Sequence, residues 1–187
     1  MAMEIRGTVL NSRKAFVQEN FGEEGWEKVL NSLFEEDQHF FKNILVSSGW
    51  YPFDIAERLD KAIVDVLGEG KSKIFKEIGA KSARKNLSES HQIFLKPNDP
   101  QTFMAQANTI YSFYYNKGYR EYKPTGENSG VMTTYNAETF SVADCLTVIG
   151  WYEEALKMCG AKEVKIIEEE CRAKGGDVCR YNISWKM

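Results

Sequence analysis

Cysteine is the residue type in this 187-residue chain best suited to chemistry, and two of the four cysteines flank a glycine-rich turn in "EEECRAKGGDVCRYNISW", Glu168 to Trp185. With the turn centred on Gly175, Cys171 and Cys179 stand four residues to either side. They then oppose each other across an antiparallel ladder, about 4.5 to 5.5 Å apart, which suits two ligands of one metal ion. Glu168, three residues before Cys171, is a third candidate only if a bulge or turn interrupts the strand, because an odd offset otherwise puts the two side chains on opposite faces. A fourth ligand must come from the preceding helical segment, which offers Cys145 or Cys159. These two lie about 21 Å apart along a helix and cannot bind the same ion, and spacing alone does not choose between them. Thiolate donors favour zinc, and a site closed by four protein ligands is structural rather than catalytic. The competing reading is that the cysteines are small buried core residues.

Other chemistry is sparse. The chain has no Gly-rich phosphate loop, no G-x-S-x-G and no Cys/His pairing with a local signature, so we expect no enzyme. His39 and His91 are the only histidines, a poor supply for haem iron. Aromatic residues make up 13% of the chain. Phe103, Ile110, Tyr111 and Tyr114 recur on one helical stretch, with His91 and Phe94 just before the break that precedes it. His91, Phe94, Phe103, Tyr111 and Tyr114 are therefore the expected lining of a cavity for a small apolar or aromatic ligand, with a tyrosine hydroxyl or His91 orienting its polar end. Each ring taken singly would serve equally well in an aromatic core.

These residues need elements to hold them. Leu10, Phe16, Val17 and Phe21 fall near helical spacing up to Gly22, and Trp26, Val29, Leu30 and Leu33 share one face of the next stretch. "DQHFFKNILVSSGWYP" reads as helix up to Gly49 and Pro52. "FDIAERLDKAIVDVLGEG" is an amphipathic helix ending on glycine, shorter helices follow over about 71 to 95, and Pro100 opens a helix that runs to Gly118. After Gly118 the period changes to that of two strands joined near Gly126 to Gly130. A helix from about Val142 to Cys159 starts at Ser141 and Asp144, an S-x-x-D capping box. The chain closes in a hairpin whose second strand alternates Cys179, Tyr181, Ile183 and Trp185 with polar residues. The order implies one α+β domain over 1–187, with a helical N-terminal half followed by an antiparallel sheet of about four strands packed on helices.

Composition bounds the setting. A net charge of -3 with both signs interspersed advertises no basic face for nucleic acid. No stretch approaches the roughly 20 apolar residues of a membrane span, and the N-terminus has no signal-peptide pattern, so we expect no membrane and a cytoplasmic location. Thiols rather than disulfides follow from that compartment.

Two resemblances sharpen these expectations. "CLTVIGWYEEALKMCGAKEVKIIEEECRAKGGDVCRYNISW", Cys145 to Trp185, resembles the C-terminal half of the 4-vinyl reductase domain family, which includes the sensor domains of XylR-type aromatic-responsive activators. The resemblance implies a structural zinc on the pattern C-x22-E-x2-C-x7-C, met here by Cys145, Glu168, Cys171 and Cys179, and so selects Cys145 over Cys159. "IRGTVLNSRKAFVQENFGEEGWEKVL", Ile5 to Leu30, resembles most closely an uncharacterised bacterial family known from myxobacterial paralogues, and is similar also to the opening of haem nitric-oxide-binding (H-NOX) domains. That family shares its α+β ligand-binding fold with the 4-vinyl reductase domains and the TRAPP subunits, although the Y-x-S-x-R motif of the haem binders is absent here. Together they imply a sensor or regulatory domain with a zinc, and because the fused sensors carry output domains after this module whereas this chain stops at Met187, we expect an unidentified output protein and a homodimer. A TRAPP-like interaction subunit is the alternative, and a haem-based gas sensor is less favoured.

Overall fold

The computed structural model describes residues 2–89, 91–138 and 141–187. A short strand β1 (Glu4–Arg6) leads directly into helix α1 (Gly7–Asn31), whose Val9, Leu10, Phe16, Val17, Trp26, Val29 and Leu30 are buried. Gly22, at φ 71°, breaks the helical path inside α1, as its position in the sequence predicts. Helix α2 (Glu35–Lys42) ends earlier than expected. Residues 43–49 are not helical and Trp50–Pro52 is a strand, β2, paired antiparallel with β1 through Ile5 and Tyr51. The reason lies at the start of α1, whose first N–H groups lack intrahelical partners. Gly7 and Thr8 donate instead to the carbonyls of Gly49 and Ser47, so the segment that could have prolonged α2 caps α1.

Helices α3 (Phe53–Val66) and α4 (Ile74–Ser88) follow. The stretch expected as one helix from Pro100 to Gly118 is two, α5 (Pro100–Ala105) and α6 (Ala107–Tyr114), separated at Gln106. Asp99 caps α5 by accepting from the Thr102 N–H, and Tyr115 ends α6 in an extended conformation.

The second half holds strands β3 (Tyr119–Gly126), β4 (Ser129–Tyr135), β5 (Lys162–Glu170) and β6 (Cys179–Lys186), with helix α7 (Val142–Met158) between the two hairpins. They form one antiparallel sheet in the order β3-β4-β6-β5. In β6 Cys179, Tyr181, Ile183 and Trp185 are buried, as the alternation predicts. Helix α7 packs on α4 and sets Cys145 against Cys179 of the sheet, so it joins the helical half to the strands. The α+β architecture expected from the sequence is therefore present. Among the described residues no helix is long and apolar enough to cross a membrane.

Candidate functional site

The interior where α1, α4, α6, α7 and β3 meet is more polar than the sequence patterns suggest. Arg13 falls in the apolar stripe of α1 and Asp60 in that of α3, and both are buried. Arg13 grips Asp60 with two hydrogen bonds, Nε to Oδ1 at 2.5 Å and Nη2 to Oδ2 at 3.0 Å, and reaches Asp144 Oδ1 at 3.3 Å. The Tyr115 hydroxyl donates to both Asp144 oxygens, at 3.0 and 3.1 Å. Asp144 thus departs from half of its expected role. The Ser141 hydroxyl accepts from the Asp144 N–H as a cap should, but the Asp144 carboxylate turns inward. A charged residue within an apolar stripe on each of two helices was the available signal for this cluster.

Burial pushes Asp60 up to about 6 against the pull of Arg13, and it raises Asp144 as well. A carboxyl held above its unfolded value of about 3.9 binds its proton more tightly in the folded state. The stability it contributes is fully present below about pH 4 and is lost as pH rises through about 6. Asp60→Asn should flatten the fall in stability over that window, read as urea midpoints at successive pH values. A slope unchanged from the parent would place Asp60 at an ordinary carboxylate value.

Beside this cluster is an internal cavity of about 40 Å³ whose lining includes Arg13, Tyr111, Tyr114, Arg120, Trp151 and Tyr152. Arg120 on β3 is 6% exposed, donates from Nε to Thr134 Oγ1 at 2.9 Å, and lies 4.9 Å from the Tyr111 ring centroid and 5.4 Å from that of Tyr152. No carboxylate of the described residues lies within ion-pair distance of it. Trp151 Nε1 and the Tyr152 hydroxyl are buried without a hydrogen-bond partner. The Tyr152 phenol stands close to Arg120, yet no hydrogen bond of acceptable geometry forms between them.

Of the expected ligand-binding residues, Tyr111 and Tyr114 line this cavity and the other three do not. Phe103 is buried behind it, stacked on Trp151 with ring centroids 6.3 Å apart. His91 sits behind Tyr114, its Nδ1 3.5 Å from the Tyr114 hydroxyl and its ring 4.3 Å from that of Phe113. Phe94 packs against His91. Arg13 and Arg120 were missed because a search for apolar lining passes over buried cations, and Trp151 and Tyr152 because they lie on α7, outside the aromatic-rich stretch before Gly118 from which the lining was drawn.

The cysteines form a second cluster. Cys145 Sγ is 3.4 Å from Cys171 Sγ and 3.8 Å from Cys179 Sγ, and all three sulfurs lie within 4.8 Å of one another. Such a group has the donor atoms a metal ion could use. Cys159 is buried and apart from it. The register irregularity between Glu168 and Glu170 is the kind of interruption Glu168 needed, but its carboxylate is not among the converging ligand atoms. Glu168 Oε2 is held instead by Lys174, and Oε1 is buried without a partner. A hydrogen bond from the Cys145 thiol is the largest influence drawing Cys179 down to about 6, and it lowers Cys171 too, while Cys145 itself is raised.

Comparison with known proteins supplies a lineage. A family model described as haem-NO-binding matches residues 6–125. No curated protein matches. The solved structures that resemble the chain include an Fe(II) unliganded H-NOX protein from K. algicida, 14% identical over 97% of both chains with a TM-score of 0.74. An H-NOX protein from S. oneidensis in the Fe(II)NO ligation state is 16% identical over 97% of this chain and 99% of its own, with a TM-score of 0.75. The I5F mutant of T. tengcongensis H-NOX is 15% identical over 97% and 98%, with a TM-score of 0.73. At these identities the structural likeness establishes the fold. Two expectations are corrected. The family found is one of those resembled by Ile5 to Leu30, not the 4-vinyl reductase domains, and its cofactor is haem, so the structural zinc expected on Cys145, Glu168, Cys171 and Cys179 is withdrawn.

The residues present do not fit a haem either. The cavity of about 40 Å³ compares with about 300–1,000 Å³ for ordinary small-molecule pockets. Trp151, Tyr152, Tyr111 and Tyr114 line this small space, which leaves no room for a macrocycle. Neither histidine lines the cavity, His39 being exposed on α2 and His91 turned to Tyr114.

Proposed function

The chain belongs to the haem-NO-binding family, and on that premise we propose that it is a sensor or regulatory domain that binds a small ligand directly in its internal cavity, without haem. The observation that carries this reading is the pair of buried, unpartnered donors, Trp151 Nε1 and the Tyr152 hydroxyl, on a cavity lined in part by aromatic rings. Buried donors are costly unless something accepts from them, and a ligand that does so gains what the empty cavity lacks. An apolar aromatic ligand suits the site less well than a smaller polar one. A cavity of about 150 Å³ is the size known to hold benzene, and this one is about 40 Å³.

The occupied cavity would act on its surroundings through α7, which supplies Thr147, Val148, Trp151 and Tyr152 to the lining and packs on α4. Binding without turnover, a cytoplasmic setting that keeps the four cysteines as free thiols, and output through a second chain, in a homodimer or with another protein, complete the proposal.

Reconstitution with haem should yield no stoichiometric complex with a sharp Soret band. A thermal-shift screen of compounds smaller than benzene should give stabilisation that disappears in Val148→Leu, which fills the cavity. A Soret band lost on replacing a cavity residue would overturn the haem-free reading. A screen without hits, together with a co-purifying protein partner, would favour the interaction-subunit alternative.

A further inference from the structure

We infer that the cavity is a site for a small monovalent anion of the size and chemistry of formate, nitrite or nitrate, bound by Arg120 together with the Trp151 N–H and the Tyr152 O–H. The inference rests on the proposed direct-binding reading and names the ligand class for that site.

Charge points first to an anion. A buried guanidinium without a carboxylate partner is among the costlier arrangements a fold can keep. Arg120 donates to the Thr134 hydroxyl, lies against two aromatic faces and stands beside the Tyr152 phenol, and none of these carries a carboxylate's charge. Asp144, whose charge Arg120 feels, is already committed to Arg13 and Tyr115, and Asp60 is committed to Arg13. The four charges of Arg13, Arg120, Asp60 and Asp144 cancel only while both carboxylates are ionised, and burial raises both toward the protonated form. Protonation of either leaves this interior positive.

The remaining donors agree with the charge. Trp151 Nε1 can only donate, and the Tyr152 hydroxyl, whose oxygen stands beside Arg120, has a proton to give, so the cavity presents a cation and two donors. Size then limits the ligand. A water needs roughly 10–15 Å³, so a cavity of about 40 Å³ holds about three or four heavy atoms. Bulky anions such as phosphate esters are excluded. The rival counter-charge is the thiol cluster, since Cys179 and Arg120 both border a smaller void beneath the first.

The test uses the full chain. In ¹H–¹⁵N spectra the Trp151 indole resonance is identified by its loss in Trp151→Phe. Titration with sodium formate, nitrite or nitrate, at ionic strength held constant with the bulky gluconate anion, should move it saturably and raise the melting temperature of the parent protein. Arg120→Met should abolish the response, Tyr152→Phe should weaken affinity about tenfold by removing one hydrogen bond to a charged ligand, and Cys179→Ser should leave it intact. Formamide, which has formate's shape without its charge, should have no effect, and that comparison requires no variant to fold. An equal response to formamide would overturn the anion class while preserving a direct-binding sensor. Anion binding seen only in Cys179→Ser would show that a thiolate already neutralises Arg120, and overturns the inference. No response to any small molecule, with Val148→Leu indistinguishable from the parent, would overturn both readings.

Discussion

Arg13→Met is expected to destabilise the protein by about 4 kcal/mol, the range seen when one partner of a buried ion pair is removed. For a chain of this size that is a fall of about 10 °C in Tm. The effect is large because the substitution removes one cation and strands two carboxylates, Asp60 and Asp144, which are 2% and 4% exposed. Neither can regain water without opening the contacts among α1, α3 and α7, so both would fold protonated and their pKa values would climb further. Adding Asp60→Asn to Arg13→Met should recover part of the loss by removing one of those carboxyls. Lys61→Met offers the contrast. Its ammonium is 76% exposed and pairs with Asp65, itself 54% exposed, so water substitutes for the lost bond and below about 1 kcal/mol is the expected cost. Urea unfolding of the three variants decides the matter, and a loss below about 1 kcal/mol for Arg13→Met would mean the triad is solvated in solution.

The parts of the fold legible in the sequence are those governed by local periodicity. The stripe of α3, the Ser141 cap of α7, the Pro100 start of α5 and the alternation of β6 each follow from a few neighbouring residues, and each is where the pattern puts it. What local reading missed depends on partners far away in the chain. Residues 43–49 look helical by themselves but are taken up by the N–H groups of Gly7 and Thr8, about 40 residues earlier.

The site divides the same way. Hairpin spacing brings Cys171 and Cys179 together, and the helix cysteine that joins them is Cys145. Glu168 does not converge with them, because Lys174 in the intervening turn competes for its carboxylate. The aromatic residues of α6 were recognised, yet only Tyr111 and Tyr114 face the cavity. The polar half of that cavity comes from β3 and α7, and its role appears only once Arg120, Trp151 and Tyr152 share one space.

Gly150→Ala should cost about 3 kcal/mol and abolish ligand binding at the cavity, although Ala is the better helix former. A Gly-to-Ala change in the middle of a helix ordinarily gains up to about 1 kcal/mol. Here the added methyl would lie 1.9 Å from the Lys76 carbonyl oxygen of α4. The contact is reciprocal, since a Cβ on Gly79 would lie 2.1 Å from the Thr147 oxygen of α7. Both obstacles are backbone, so no rotamer change relieves them and the helices must separate. Overpacking of a close contact costs about 1–3 kcal/mol and sometimes more, which outweighs the propensity gain. The functional loss follows from position, because Thr147 and Trp151 flank Gly150 on α7, and Ser82 lines the same cavity from α4. Spreading the two helices enlarges the space around Arg120 and removes the Trp151 N–H from its ligand. Denaturant midpoints test the first claim and the small-molecule thermal shift tests the second. A Gly150→Ala protein as stable as its parent would show that α4 and α7 do not cross backbone to backbone in solution.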